Sequence, residues 1–273
     1  MIQIKTETCV GCGTCVNDCF PEALALSAGK AALVEPGNCL RCGHCIALCP
    51  VEAVFDDQQN MDEVRDCPPA DRQVDPDNLL RFMQFRRATR HFKPDPIPQE
   101  ILDAILDAGR WSPTAKNRQS TSFLVVRQAI PQLKAAALKR LRDVGQVMLM
   151  KGAPADEARR AQKFIDWCKQ LRKDPDFDPL FFHAPALVMA VSDKEGKLDA
   201  AAAAAYMELE ANAQGLGVLY SGYFAAAAQG NEEIRGILGL RDGEELVRCL
   251  VLGRPDIAFR RIPPRDAAKV EYL

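Results

Sequence analysis

The sequence predicts an α+β protein of two unequal domains, and three observations support this. Cysteines recur with a period of 30 over the first 60 of the 273 residues. A polar, proline-rich stretch follows at 58–77, and beyond it helical and strand patterns alternate. With 48% apolar residues, a chain of this length can form more than one core. We therefore expect a small module over residues 1–60, a linker over 61–75 and an α+β domain over 76–273.

The small module is built on two copies of the pattern Cys-x2-Cys-x2-Cys-x3-Cys. The eight cysteines are Cys9, Cys12, Cys15 and Cys19 in the first copy and Cys39, Cys42, Cys45 and Cys49 in the second. Three closely spaced thiolates can hold one face of a 4Fe-4S cluster, while the fourth cysteine of each copy is directed at the other cluster. Zinc and disulfides are the alternatives, but zinc sites use pairs of ligands and not two quartets. We therefore expect two clusters, with Cys49 completing the first set and Cys19 completing the second.

Each half of the module is predicted to contain a short strand, a cysteine loop, one helical turn after the fourth cysteine and a second strand. The second strands are expected at 23–26 and 53–55. Gly11, Gly13 and Gly43 fit loops that need a positive φ and a close approach of the backbone to a cluster. The two halves should be related by a pseudo-twofold axis.

Charge is distributed unevenly along the chain. Residues 1–60 hold three basic and seven acidic side chains, a net charge of −4, whereas 61–273 hold 32 basic and 30 acidic ones, a net charge of +2. An acidic module argues against nucleic-acid binding and suits docking onto a basic redox partner. Residues 1–7 lack the start of a secretion signal, and no stretch approaches about 18 apolar residues. We expect a cytoplasmic protein with no membrane partner.

Periodicity assigns the elements of the larger domain. Helices are predicted at 76–87, 98–109, 131–143, 155–171, 199–213 and 231–238. Strands are predicted at 122–127, 186–191 and 245–252. Helices therefore outnumber strands, and the strand at 186–191 is apolar enough to be buried on both faces.

Four segments of this domain carry candidate binding residues. They are Arg-Arg-Ala-Thr-Arg at 86–90, Trp-Ser-Pro-Thr-Ala-Lys-Asn-Arg-Gln at 111–119, the glycine-rich and aromatic stretch at 215–224, and Gly-Arg-Pro at 253–255 leading to Arg265. No dinucleotide-binding G-x-G-x-x-G follows a strand, and no NTPase phosphate loop is present. The order and content of the four segments resemble the nitroreductase family of FMN flavoproteins over about residues 76–273. The whole chain resembles the branch of that family that is fused to a ferredoxin.

The resemblance implies a phosphate site for FMN. Arg86, Arg90 and Arg265 take the role of cationic forks, which can each bind phosphate through two hydrogen bonds. Ala88 stands where family members usually carry a serine that contacts the cofactor. One hydroxyl contact is therefore absent from this chain.

The resemblance also implies where the flavin ring lies. Pro113, Thr114 and Asn117 match a segment that reaches the flavin of the other subunit, so the site requires a homodimer. Ser221 and Gly222 match the stretch whose backbone N–H approaches flavin N5, the atom that delivers hydride. The hydride comes from the flavin, and no side chain is expected to act as the catalyst. Aromatic side chains could line the acceptor's side of the ring, although aromatic residues are more often core: Trp111, Phe181, Phe182, Tyr220 and Tyr223.

The implied function is an oxidoreductase that passes electrons from the clusters to FMN and on to a nitroaromatic, a quinone or a similar electrophile. The donor is expected to be a low-potential, ferredoxin-like protein or NAD(P)H. Two other functions remain open. One is electron transfer between protein partners without a small substrate, and the other is a redox sensor in which loss of a cluster alters assembly.

Overall fold

A computed structural model describes residues 1–273 and divides them into two compact units. Unit 1 is Met1–Asp75 with Thr114–Gln119, and unit 2 is Pro76–Pro113 with Ser120–Leu273. The stretch predicted as a linker belongs to unit 1 and contains two short 3-10 turns, at Met61–Glu63 and Pro69–Arg72. A short segment of the larger sequence domain, Thr114–Gln119, thus folds with the cysteine-rich unit.

Unit 1 contains two small antiparallel sheets and two short helices. Its elements are β1 (Ile2–Ile4), α1 (Thr14–Asn17), β2 (Leu24–Ser27), β3 (Lys30–Leu33), α2 (His44–Leu48) and β4 (Val54–Asp56). Strand β1 pairs with β4, and β2 pairs with β3. Each sheet therefore takes one strand from each copy of the cysteine repeat, as two halves related by a pseudo-twofold axis would.

The helical turn of each half lies before the fourth cysteine, so the prediction that it follows the fourth cysteine was wrong. Helix α1 contains Cys15 and ends before Cys19. Gly13 and Gly43 each have a φ of 77° and immediately precede α1 and α2. Glycine adopts this left-handed conformation at little steric cost, so the chain can reverse there and start the helix at the next residue.

Unit 2 contains all the helices and strands that were predicted for the larger domain. The helices are α3 (Pro76–Phe85), α4 (Gln99–Arg110), α5 (Ile130–Met150), α6 (Ala155–Lys173), α7 (Lys197–Ala213), α8 (Gly222–Ala228) and α9 (Glu232–Leu238). The strands are β5 (Ser122–Val126), β6 (Ala186–Ser192), β7 (Gly217–Tyr220) and β8 (Glu245–Gly253). A further 3-10 turn, Ala115–Asn117, belongs to the segment that folds with unit 1. No helix in the chain is both long and apolar enough to cross a membrane.

The core of unit 2 is an antiparallel sheet in the order β5-β6-β8-β7, with helices on both faces. Every residue of β6 is buried. Because side chains alternate along a strand, Leu187 and Met189 pack with α5 and α8, whereas Val188 and Ala190 pack with α4 and α7. This double burial explains why β6 reads as an uninterrupted apolar run.

Helix α5 extends seven residues beyond its predicted end at Asp143, through Gly145. A Cβ atom at Gly145 would lie 2.6 Å from the carbonyl oxygen of Ala161 in α6. The glycine therefore allows α5 and α6 to pack closely and does not end the helix.

Candidate functional site

Four cysteines from both copies of the repeat line one cavity in unit 1. They are Cys9, Cys12, Cys15 and Cys49. The backbone of Gly11 and Gly13 completes one wall of this cavity. The structure therefore brings together the four side chains that the sequence assigned to one cluster, including the crossed one. Their ligation of iron stays a prediction.

The pKa values of three thiols that line this cavity are shifted in different directions by their surroundings. Backbone N–H groups of Ala31 and Gly11 lower the pKa of Cys9, and the Thr14 hydroxyl, 3.5 Å from the Cys12 sulfur, lowers the pKa of Cys12. Burial raises the pKa of Cys15. Iron binds the thiolate, so the hydrogen bonds at Cys9 and Cys12 favour the form of the side chain that a cluster requires.

Three members of the second cysteine set lie against the core of unit 1. Burial, followed by the charge of Cys42, raises the pKa of Cys45 to about 11, and Cys39 adds to this effect. Cys19, Cys39 and Cys45 all pack against the same apolar cluster. All eleven cysteines are free of disulfide bonds.

Arg41 fixes the loop between Cys39 and Cys42. Its Nε atom donates to Oδ2 of the buried Asp56 at 3.0 Å. Burial disfavours ionisation of Asp56, but hydrogen bonds from the N-terminal amine, the Gln58 N–H and Arg41 outweigh it and lower the pKa of Asp56 to about 2. The carboxylate therefore stays ionised and keeps Arg41 in place.

Asn117 holds the same loop from another side. Its side-chain amide donates to the carbonyl oxygens of Leu40 at 3.2 Å and of Arg41 at 2.9 Å. Asn117 was assigned to the flavin of the other subunit, and within the single chain it belongs to unit 1. Thr114 is in the same segment, and its hydroxyl accepts a hydrogen bond from the Gln119 N–H at 3.1 Å. Pro113 is the residue of unit 2 that precedes the segment.

The arginine segment of unit 2 is extended and lies along β7. Ala88 forms a parallel bridge with Val218, and the Thr89 N–H donates to the Val218 carbonyl at 3.0 Å. This pairing explains why α3 ends at Phe85, two residues before its predicted end. The Arg90 side chain is exposed, whereas the Arg86 guanidinium donates to Glu208 of α7.

Gly217, at the start of β7, lets the arginine segment approach. A Cβ atom at this position would lie 2.5 Å from the Thr89 hydroxyl and 2.7 Å from the Thr89 Cβ. We expect Gly217→Ala to lower the free energy of unfolding of unit 2 by about 1–3 kcal/mol, because the strand or the segment must move. The measurement is denaturant unfolding followed by tryptophan fluorescence.

Gly236→Ala in α9 is the control for Gly217→Ala. A Cβ atom at Gly236 would meet no atom within 4 Å, and alanine favours a helix by up to about 1 kcal/mol. This variant should be at least as stable as the parent. Equal stability of the two variants would show that Thr89 does not constrain β7.

Ser221 and Gly222 join β7 to α8, two elements that the sequence analysis did not predict. The Ser221 N–H donates to the Cys249 carbonyl at 2.9 Å, and the Ser221 hydroxyl donates to the Leu180 carbonyl at 3.0 Å. A side chain at Gly222 would meet no atom within 4 Å. Ser221 is thus fixed by internal hydrogen bonds, while the space beside Gly222 is open.

Arg265 lies in the exposed C-terminal segment that follows β8. Its assignment to a phosphate site stays a prediction.

One of the aromatic candidates is a core residue, and another is held by a hydrogen bond to the core. Phe181 is fully buried with its ring centroid 5.0 Å from that of Phe224, and the Tyr220 hydroxyl donates to the Ala204 carbonyl at 3.0 Å. Phe182 is partly buried against the same core, and Trp111 is exposed.

Tyr223 is the candidate that remains both exposed and close to Gly222, and it has neighbours that the motifs did not indicate. Its ring centroid lies 5.3 Å from that of Phe164 and 5.5 Å from that of Trp167, both in α6. The Lys163 ammonium lies 4.7 Å from the Trp167 ring centroid. Lys163 and Trp167 are four residues apart and therefore lie on the same face of α6. This spacing was the only feature of the sequence that could have predicted their contact.

Family models match both units. One described as "Nitroreductase family" matches residues 83–254, and one described as "4Fe-4S dicluster domain" matches residues 5–53. An uncharacterized ferredoxin of Methanocaldococcus jannaschii is 34% identical over 55 residues, which are 19% of this chain and 89% of that protein.

Solved structures resemble the larger part of the chain. A nitroreductase with bound FMN from Bacteroides fragilis is 19% identical, covers 71% of this chain and 98% of its own, and has a TM-score of 0.52. A nitroreductase with bound FMN from Desulfitobacterium hafniense is 21% identical, with 71% and 97% covered and a TM-score of 0.53. A BluB-like flavoprotein from Clostridium difficile is 19% identical, with 69% and 94% covered and a TM-score of 0.55. At these identities the likeness concerns the fold.

Proposed function

The chain belongs to the nitroreductase family and carries an N-terminal 4Fe-4S dicluster domain, and on this premise we propose that it is an iron–sulfur flavoprotein that reduces a small electrophilic acceptor. The main support is the cavity that Cys49 shares with Cys9, Cys12 and Cys15, in a chain that also carries a flavin-type fold. Four thiols from two loops fit the ligand set of a cubane cluster. A reducing cytoplasm suits a protein with eleven free thiols.

The residues of unit 2 fit FMN. Arg90 offers an exposed guanidinium to a phosphate, and the open space beside Gly222 fits the edge of a flat ring. Ser221 keeps the chain in place there through its two hydrogen bonds to core carbonyls. Tyr223 and Trp167 offer aromatic surface to a conjugated acceptor.

Clusters held by the two cysteine sets would supply single electrons, and FMN held in unit 2 would supply the chemistry that gathers two of them for the acceptor. Two electrons and two protons convert a quinone to a hydroquinone, or a nitro group to a nitroso group with release of water. The electrons come from a low-potential, ferredoxin-like donor or from NAD(P)H. The net charge of −4 on residues 1–60 favours a donor with a basic docking face.

We propose that the functional protein is a homodimer. None of the residues of α3 is buried, and Leu79, Leu80 and Met83 leave 40–50% of their surface exposed. A helix of ten residues is marginal in water without packing. A second copy of the chain would cover this apolar helix.

Anaerobic turnover tests the proposed reaction. Protein reduced with dithionite should reduce a nitroaromatic or a quinone more than about 100-fold faster than the same concentration of free FMN, because the acceptor is held at the flavin. The measurement is the initial rate of acceptor loss, with protein from which FMN has been removed as the control. A rate equal to that of free FMN would contradict the enzyme and favour electron transfer between proteins.

A further inference from the structure

We infer that Glu208 is a positioning residue, which holds the Arg86 guanidinium in the orientation that binds the phosphate of FMN. The inference rests on the proposed function and on the prediction from the sequence that Arg86 is one of the phosphate ligands of FMN. Glu208 itself is not assigned to the cofactor by any of the four sequence segments.

The hydrogen bond between Arg86 and Glu208 is short, and both side chains are largely buried in unit 2. The Nη1 atom of Arg86 donates to Oε1 of Glu208 at 2.7 Å. Only 10% of the Glu208 side chain and 28% of the Arg86 side chain are exposed. A buried carboxylate is costly without a partner, so Glu208 constrains Arg86 strongly.

Glu208 is itself held on a rigid element. It lies on the buried face of α7, where Ala204 and Ala211 are fully buried in the core on that side of the sheet. The Glu208 carbonyl accepts a hydrogen bond from the Asn212 side chain at 2.7 Å. A carboxylate on a packed helix gives Arg86 a fixed anchor.

The other side of the pair is formed by β7. Tyr220, at the end of β7, is half-buried, and its hydroxyl donates to Ala204, one turn before Glu208. Burial and then the charge of Glu208 raise the pKa of Tyr220, so this hydroxyl stays a donor. Val218 of the same strand holds Thr89. Arg86 is thus fixed by Glu208, and the residues that follow it are fixed by β7.

The contribution of Glu208 must be geometric. A carboxylate beside Arg86 lowers the net positive charge near the site, and by Coulomb attraction alone it would weaken the binding of an anion. One guanidinium N–H is used by Glu208, and the remaining donors of the planar group are free to form the fork that recognises phosphate. Orientation and charge therefore predict opposite effects when Glu208 is removed.

The experiment compares FMN with riboflavin, which lacks the phosphate. Dissociation constants are measured by quenching of flavin fluorescence on the full chain with its clusters intact and its FMN removed. Glu208→Ala should raise the dissociation constant of FMN about tenfold or more, and it should change the dissociation constant of riboflavin less than about threefold. Glu208→Gln retains an acceptor oxygen and should raise the dissociation constant of FMN less than Glu208→Ala does. Glu210→Ala, on the same helix, is the control and should change neither constant.

A double-mutant cycle shows whether Glu208 acts through Arg86. In an Arg86→Ala background, Glu208→Ala should no longer change the ratio of the two dissociation constants. The ratio is insensitive to a smaller folded fraction, which lowers the apparent affinity for both flavins equally. If Glu208→Ala does not fold, Glu208→Gln is measured in the same cycle.

The outcomes separate this inference from the proposed function. The positioning role is overturned if Glu208→Ala leaves the ratio of the two dissociation constants unchanged. It is also overturned if the variant binds FMN more tightly, or if its affinity for both flavins falls equally. An effect of Glu208→Ala that persists in the Arg86→Ala background also overturns it. If the full chain binds no flavin at all, the proposed function itself fails. If Arg86→Ala alone leaves the ratio unchanged, only the phosphate role of Arg86 fails, and this inference fails with it.

Discussion

Replacing Cys49 with alanine is expected to disrupt the cluster of Cys9, Cys12 and Cys15 and to leave the other cluster intact. Cys49 lines the same cavity as those three side chains, although it belongs to the second copy of the repeat. Iron content should fall from about eight to about four atoms per chain, or to about seven if a three-iron cluster forms. Iron and sulfide analysis with electron paramagnetic resonance measures this change. Cys67→Ala is the control, because Cys67 is exposed and lies outside both copies.

Paired variants test the crossed arrangement directly. Cys9→Ala combined with Cys49→Ala should affect one cluster, because both residues belong to one set. Cys19→Ala combined with Cys49→Ala should affect both clusters. Loss of both clusters in the Cys9→Ala, Cys49→Ala variant would contradict the crossing and return Cys49 to the set of Cys39, Cys42 and Cys45.

Replacing Leu80 and Met83 together with glutamate is expected to convert the proposed dimer to a monomer that has lost FMN. Both side chains are exposed on α3 of the single chain, and burying each of them at an interface contributes about 1.5–3 kcal/mol. Two buried carboxylates would add a desolvation cost. We expect the dimer dissociation constant to rise more than about 100-fold. Light scattering at several protein concentrations measures the mass, and the flavin absorbance of the eluted protein measures FMN content.

Gln84→Glu is the matched control for this dimer test. It places one glutamate on the same helix, next to Met83 but at a position that is already polar. It should leave both mass and FMN content unchanged. A monomer with full FMN content would contradict the shared site, and a dimer that persists in the double variant would contradict the role of α3.

The local pattern of the sequence predicted much of this fold. The repeat spacing anticipated the four cysteines of the first cavity, because a fixed interval of 30 residues places equivalent side chains in equivalent loops. The buried strand β6 was equally predictable, since a strand packed on both faces has no polar positions. Each of these features depends on residues close together in the chain or on an exact repeat.

The features that were missed depend on residues far apart in the chain. Glu208 and Arg86 are separated by 122 positions, and no spacing rule connects them. The hydrogen bonds of Asn117 to the cysteine loop of unit 1 span 76 and 77 positions. Strand β7 is only four residues long, and its partner β8 supplies the hydrogen bonds that define it. Short strands and distant pairs exist because of tertiary contacts, which local periodicity does not contain.

The most direct test of the central claim asks whether the clusters feed electrons to FMN. The protein is mixed anaerobically with a one-electron donor, and the loss of flavin absorbance is followed by stopped flow. The comparison is with the Cys19→Ala, Cys49→Ala double variant, which is first checked for its remaining iron and loaded with FMN. We predict that the flavin of the parent is reduced more than about tenfold faster than the flavin of the variant. Equal rates of flavin reduction in the two proteins would contradict the claim.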